Sequence, residues 1–360
     1  MLKKAAVLMA CVMALALVLS GCGSSAGKSG DSQKAPFKVA MVTGIGGVSD
    51  KSFNQSSWEG LSKFAKDNKL KTGSDVKYLE SQQPSDFAPN LNQLVMQKYN
   101  LIVAIGFQMQ SDLQTIAPQH PDSHFAIVDS VAVDKNNKPL KNVTNLTFKE
   151  QQGSFLVGVV AGLTTKTNKV GFIGGVNTAL IKKFESGFKA GVKTVNPKAQ
   201  IYTQYAGAFN APDKGQNIAS TFYSKGADII YAAAGDTGNG VFTEARSRTK
   251  SGKKVWVIGV DRDQYDQGLP ENVTLTSMVK RVDQAIYDAA TKAKAGKYQG
   301  GKVIEYGLAE NGVGIAPTTK NVKPAVLDQV KKYQQDIIKG SIVVPTTDKE
   351  YAAYVASLSK

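Results

Sequence analysis

The chain has 360 residues, 44 of them Lys or Arg and 29 Asp or Glu, for a net charge of +15. It carries two cysteines, Cys11 and Cys22, and two histidines, His120 and His124. That inventory excludes a disulfide-stapled fold and a histidine-rich metal centre, and the length suits two domains of ordinary size rather than one core.

In chain order, Lys3 and Lys4, an apolar run from Ala5 to Leu19 and the box Leu19-Ser20-Gly21-Cys22 spell a bacterial lipoprotein signal over residues 1–21. The run is too short for a permanent helix across about 30 Å of hydrocarbon, which needs about 20 apolar residues. Cys22 is therefore expected to become the new N-terminus and to carry acyl (palmitate) chains, tethering the protein to the outer face of the cell membrane. Removing 21 residues from 360 leaves 339, takes Lys3 and Lys4 away for a charge of +13, and discards Cys11. No thiol is then free for a metal site or a nucleophile. The lysines are spread along the chain without stacking aromatics between them, so a solvated basic surface is expected and no specific nucleic-acid partner. Residues 22–36 are rich in Gly, Ser and Lys and form a flexible tether. Gly27-Lys28-Ser29 within it is no phosphate loop, because the glycine required five positions earlier is Cys22 and no strand precedes it.

From Phe37 short apolar strands alternate with longer amphipathic stretches. FKVAMVT (37–43), DVKYLES (75–81), NLIVAIGF (100–107) and HFAIVDS (124–130) read as buried strands. Between the first two, Trp58, Leu61 and Ala65 recur at helical spacing with Phe64 beside them, a stripe that packs on a sheet. The alternation restarts with KVGFIGGV (169–176), AQIYTQY (199–205), ADIIYAAAG (227–235) and KVWVIGVD (254–261). Two such units predict two parallel-sheet lobes with right-handed crossovers. Ligands of open α/β sheets bind beyond the carboxyl ends of the strands, so the loops after residues 43, 107, 130, 176, 207, 235 and 261 should line a cleft. Later segments, VTLTSMVK (273–280), a helix near 282–295, KVIEYGLA (302–309) and a helix near 323–338, break the repeat and cross between lobes. The expected division is a first lobe of 37–145 plus about 275–303, and a second of 146–274 plus about 304–360.

Chemistry-bearing motifs are sparse. His120 and His124 are four apart, but Pro121 breaks any helix that would pair them on a metal. No H-E-x-x-H motif, no carboxylate cluster and no strand-borne nucleophile elbow is present, so neither a metal nor an enzyme is expected. Gly44-Ile45-Gly46-Gly47 follows the first strand, yet the third glycine of a dinucleotide fingerprint falls at Ser49, which points to a cleft-lining turn rather than a cofactor site.

The stretch Gly46-Gly47-Val48-Ser49-Asp50-Lys51-Ser52-Phe53-Asn54-Gln55 resembles the signature of the basic membrane protein family, the nucleoside-binding lipoproteins of ABC importers, in which D-x-S-F-N opens the first helix. IGF at 105–107, IVD ending at Asp129, GAF ending at Phe209, AAAG ending at Gly235, the run from Gly259 to Gln264, and TSMVK ending at Lys280 agree with it in order over residues 37–345. The resemblance implies a type I periplasmic-binding-protein fold, α/β, with two doubly wound parallel-sheet lobes joined by a multi-strand hinge. It implies a monomer that takes no cofactor, is not an enzyme, and delivers a nucleoside, purine nucleosides foremost, to ABC permease subunits. Carried over by position, Phe53 and Phe209 are the aromatics that sandwich the base, Asn54 and Asp129 polar contacts to it, and Asp261 with Lys280 the ribose clamp. Asp50 and Gly235 complete the implied ligand set, Asp50 also suiting a helix cap. Gly44 stands where many relatives carry Asp, so the base contact of that carboxylate is absent or replaced here.

The residue types suit this role independently, since a nucleoside offers a flat π face to aromatic rings and a vicinal diol to a carboxylate. The same types would serve a sugar or autoinducer receptor of the same fold, and the positive charge would serve a surface adhesin. A nucleoside hydrolase is disfavoured for want of a base or metal cluster.

Overall fold

A computed structural model describes residues 36–358, so the expected signal, the expected lipidation site Cys22, the expected tether up to residue 35 and the last two residues lie outside the described residues. The first sheet begins with β1 (Val39–Ile45), whose residues from Val39 to Val42 are fully buried. The chain continues through α1 (Phe53–Asp67), β2 (Val76–Ser81), α2 (Phe87–Met96), β3 (Leu101–Ala104), α3 (Gln110–Ile116), β4 (Phe125–Val128) and β5 (Val143–Phe148). After α4 (Glu150–Thr164) the second sheet is built from β6 (Lys169–Gly174), α5 (Ala179–Val195), β7 (Gln200–Tyr205), α6 (Pro212–Ser224), β8 (Ile229–Ala233), α7 (Thr237–Lys250), β9 (Trp256–Asp261) and β10 (Thr274–Lys280). Then come α8 (Val282–Lys294), β11 (Val303–Tyr306), β12 (Val313–Ile315), α9 (Pro324–Ile338) and α10 (Asp348–Ser357).

The first sheet has the order β11-β5-β4-β3-β1-β2 and is parallel throughout. The second has the order β12-β10-β9-β8-β6-β7 and is parallel except for β12, which runs antiparallel to β10. Central strands such as β3, β4 and β8 are buried at every position, because a parallel sheet is covered on both faces by its own crossover helices. This is the α/β, two-sheet architecture that the alternating pattern predicts.

The chain passes between the sheets three times, after Phe148, after Lys280 and after Tyr306. The crossing segments lie side by side: the Lys149 amide donates to the Tyr306 carbonyl at 3.0 Å, and the Arg281 amide to the Gly312 carbonyl at 2.8 Å. Strand membership departs from the expected lobe division at each crossing. The first sheet keeps β5 to Phe148, past the expected boundary at 145. β10 belongs to the second sheet, paired with β9 and β12, so the return comes after Lys280 rather than near 275. β11 pairs with β5 in the first sheet, whereas the sequence pattern places residues from about 304 in the second lobe. A strand's partner is a long-range property, and these strands have the same local composition whichever sheet they join. β5, β12 and α10 are elements that the pattern did not single out.

Glycines set how closely α4 and α5 approach. A Cβ at Gly191 would lie 2.0 Å from the Phe155 carbonyl oxygen, and one at Gly158 would lie 2.3 Å from that of Phe188. Backbone meets backbone here, so neither neighbour has a rotamer with which to give way. Gly158→Ala and Gly191→Ala should each destabilise the protein by about 1–3 kcal/mol through overpacking, in spite of alanine's better helix propensity. Urea denaturation checks this, and wild-type midpoints in both variants would show that the helices can part without cost.

Candidate functional site

The carboxyl ends of both sheets face one cavity. Asp50, Phe53, Asn54, Asp129, Phe209, Gly235, Asp261 and Lys280, singled out from the sequence, all line it. The lining also includes Gln108 after β3 and Leu180, Ile181 and Phe184 of α5, which sequence reasoning missed. Those α5 residues read as an ordinary apolar helix face, and nothing local marks them.

Each of two phenyl rings rests on a glycine. Phe209 lies so close to Gly175 that a Cβ there would sit 2.3 Å from the ring atoms Cδ1 and Cε1. The edge of Phe107 packs against Phe209, with centroids 6.4 Å apart and planes at 74°. Phe53 opens α1 from the first lobe, and its ring edge lies 3.5 Å from where a Cβ of Gly106 would be, a residue at φ +108 that only glycine adopts easily. Gly235 (φ +58) follows β8 beneath Phe209, where a Cβ would come 3.3 Å from the Phe209 carbonyl.

Two carboxylates occupy equivalent places in the two lobes. Asp129 follows β4 and Asp261 ends β9, and both have φ 65, the left-handed region that costs a non-glycine residue about 1–3 kcal/mol. Asp261 Oδ2 accepts a hydrogen bond from the Ser52 hydroxyl of the other lobe. Burial pushes its carboxyl up to about 6, against the opposing field of Lys280. Asp129 Oδ2 accepts from the Lys280 ammonium, while its Oδ1 is buried without a partner.

Lys280 is fully buried, and Glu150 Oε1 lies 3.7 Å from its Nζ. Its ammonium also lies 4.9, 5.2 and 5.5 Å from the ring centroids of Phe53, Phe148 and Phe184. Burial works against its charge, but the fields of Asp129, Glu150 and Asp261 prevail and hold its pKa above the usual lysine value. Lys280 hydrogen-bonds Asp129, and Asp261 acts on it through its field alone. Glu150, which sequence reasoning missed, opens α4 just after the first crossing and pairs with Lys183 at 3.1 Å. Burial, opposed by Lys280, raises its carboxyl above the usual range.

Asp50 is engaged as a cap. Its carboxylate accepts from the backbone N–H groups of Ser52 (2.9 Å), Asn54 (2.8 Å) and Gln55 (3.0 Å), satisfying the first turn of α1, and burial raises its pKa. Asn54 Oδ1 accepts from the Gly44 amide at 2.9 Å, which fixes the orientation of the amide. His124 stacks on Tyr298 at 3.9 Å, and neither histidine lines the cavity. Among the described residues no cluster of His, Cys, Asp or Glu could hold a metal, and no helix is long and apolar enough to cross a membrane.

The sequence model of a family described as Bmp, ABC transporter substrate-binding protein PnrA-like, matches residues 37–348. The chain is 51% identical to a CD4+ T-cell-stimulating antigen of Listeria innocua, covering 93% of this chain and 96% of that protein. It is 41% identical to the ABC transporter nucleoside-binding protein BmpA of Lactococcus lactis subsp. cremoris, covering 96% of this chain and 100% of the other. A solved ABC transporter solute-binding protein of Aeropyrum pernix K1 superposes with a TM-score of 0.78 at 24% identity, over 90% of this chain and 98% of that one, a likeness of fold.

The raised carboxyl of Asp261 gives stability a pH dependence of definite sign. Between about pH 4 and 6 the folded chain holds a proton that the unfolded chain has released, so this group's contribution falls as pH rises through that window. Asp261→Asn removes the titration. Its melting temperature relative to wild type should therefore be higher at pH 7.5 than at pH 5, and a pH-independent difference in thermal melts would show that Asp261 does not titrate there.

Proposed function

The chain belongs to the family of PnrA-like ABC transporter substrate-binding proteins, and we propose that it captures nucleosides, purine nucleosides foremost, at the outer face of the membrane and delivers them to an ABC permease. Members of this family are binding subunits of transporters, not enzymes. The observation that carries the reading is the meeting, at one cavity, of phenyl rings from two lobes, each held against a glycine, with carboxylates at two strand ends. A base fills the space between Phe53 and Phe209, gaining from both aromatic faces. Asn54 and the unpartnered Oδ1 of Asp129 read its polar edge, and Asp261 accepts from the ribose hydroxyls. Lys280 holds Asp129 in place, Asp50 builds the turn that presents Phe53 and Asn54, and Gly235 supports Phe209. Closure of the lobes about the crossing segments traps the ligand and gives the permease its recognition shape. The name of the Lactococcus relative supports the substrate class. The lipoprotein box supports anchoring through Cys22.

Calorimetry with inosine, guanosine and adenosine tests the capture, with a free hexose as the contrasting ligand. Phe53→Ala and Phe209→Ala should each lose about 1–3 kcal/mol, a five- to 150-fold weakening, and wild-type affinity in both would return the rings to packing roles. Wild type should prefer ribonucleosides to 2′-deoxyribonucleosides, and Asp261→Ala should erase that preference. A preference that survives would remove Asp261 from the sugar.

Anchoring is checked by fractionation: Cys22→Ala should move the protein from membranes into the soluble fraction. A variant that stays on the membrane would contradict lipidation at that residue.

A further inference from the structure

The turn before α1 is gripped from the opposite lobe at three successive residues. The Asp50 carbonyl accepts from Asn239 Nδ2 of α7 at 3.1 Å, the Lys51 carbonyl accepts from Gln264 Nε2 at 2.9 Å, and the Ser52 hydroxyl donates to Asp261 Oδ2. Lys51 stands at φ 60, a strained conformation that persists only where its surroundings enforce it. Both sides of the contact are tied by further hydrogen bonds. Within the turn, the Asp50 carboxylate gathers three backbone N–H groups. Across from it, Gln264 accepts from the Val260 amide at 2.8 Å and donates its own amide to Ser277 Oγ at 3.1 Å. Ser52 is fully buried, so its hydroxyl has no water to fall back on. At the outer rim Arg262 forks onto Glu59 of α1 at 2.6 and 3.0 Å, an exposed pair worth little by itself.

We propose that the turn Asp50-Lys51-Ser52 is the latch that holds the two lobes together, and that Ser52 is a positioning residue that couples ligand capture to closure by fixing the carboxylate of Asp261. The proposal rests on the nucleoside reading above. On that reading, ligand hydroxyls and the Ser52 hydroxyl share one carboxylate. Seating the ligand holds Asp261 where Ser52 can reach it, and closing the latch holds Asp261 where the ligand needs it, so each event favours the other. The charged and titratable groups facing Asp261 are Lys280 at the end of β10, Asp129 after β4, Asp50 in the turn and Tyr231 of β8. Of the side chains that grip across the lobes here, Ser52 is the one that touches the Asp261 carboxylate, whereas Asn239 holds the turn by its backbone.

Stopped-flow kinetics on the full-length protein with inosine as the probe test this. Ser52→Ala should raise the dissociation rate about 10- to 100-fold, the loss expected of one hydrogen bond to a charged group, with the association rate changed less than about threefold. It should also move the acid limb of inosine affinity to higher pH, because the carboxylate loses a donor that favours its ionised form. Asn239→Ala should raise the dissociation rate and leave the acid limb where wild type has it. A wild-type dissociation rate in Ser52→Ala, or an unmoved acid limb, overturns the coupling. If wild type binds no nucleoside, the functional reading fails separately, and hydrogen exchange of residues 50–55 decides the latch: faster exchange in both variants sustains it, and unchanged exchange overturns it.

Discussion

The ammonium of Lys280 carries a full charge in a place without water, and much of the arrangement around it follows from that. A buried charge persists only when paired, and removing one partner from such a pair typically costs about 3–5 kcal/mol. Asp129 comes to Lys280 from the first lobe, Glu150 from the first crossing, and the faces of Phe53, Phe148 and Phe184 complete the shell. Lys280 is itself the last residue before the second crossing. Its partners are therefore the parts that any relative movement of the lobes must rearrange, and Lys183 extends the chain of contacts by donating to Glu150 and to the Phe148 carbonyl at 3.2 Å.

Parallel sheets deliver side chains to a cleft from strand ends, and here both lobes use the same device. Asp129 and Asp261 end apolar strands in matching left-handed conformations, so strained backbone aims each carboxylate at the cavity instead of along the strand. Gly175 does the complementary work, since a side chain there would displace Phe209 from its seat, while Gly106 beside Phe53 takes a φ of +108 that other residues rarely adopt. Strands position such groups more precisely than loops alone would.

What could be read in the sequence was whatever is local. The strand and helix alternation from Phe37 to Asp261 shows in composition, and the cavity residues show through the family resemblance, in the D-x-S-F-N turn and in the short runs that end at Asp129, Phe209, Gly235 and Lys280. The rest depends on partners distant in sequence. β5 escapes notice because Thr144 and Asn145 interrupt its apolar run; Asn145 is fully buried and bonds the Ala132 amide and the Lys302 carbonyl, contacts no window of sequence reveals. Glu150 went unremarked for the same reason, since without β5 nothing marks it as standing at a crossing. Nor does any stretch of sequence reveal that the hydrogen bonds of Asp261 and Lys280 run to Ser52 and Asp129, each in the other lobe.

The four acids near the cavity differ in how fully the protein satisfies them, and that difference sorts their roles. Asp50 spends its carboxylate on three backbone N–H groups, and Glu150 faces two lysines, so both are engaged in holding the structure. Asp129 gives one oxygen to Lys280 and keeps the other unpartnered. Asp261 meets only the Ser52 hydroxyl among the described side chains, and its carboxyl is pushed up to about 6. A carboxylate left short of donors gains most from a ligand that brings hydroxyls, because that ligand offsets a desolvation cost already present in the folded protein. Under-satisfaction at Asp129 and Asp261, beside an Asp50 whose two oxygens are both taken up by backbone N–H groups, is what a binding site needs: a frame whose remaining hydrogen-bonding demand is left for the guest.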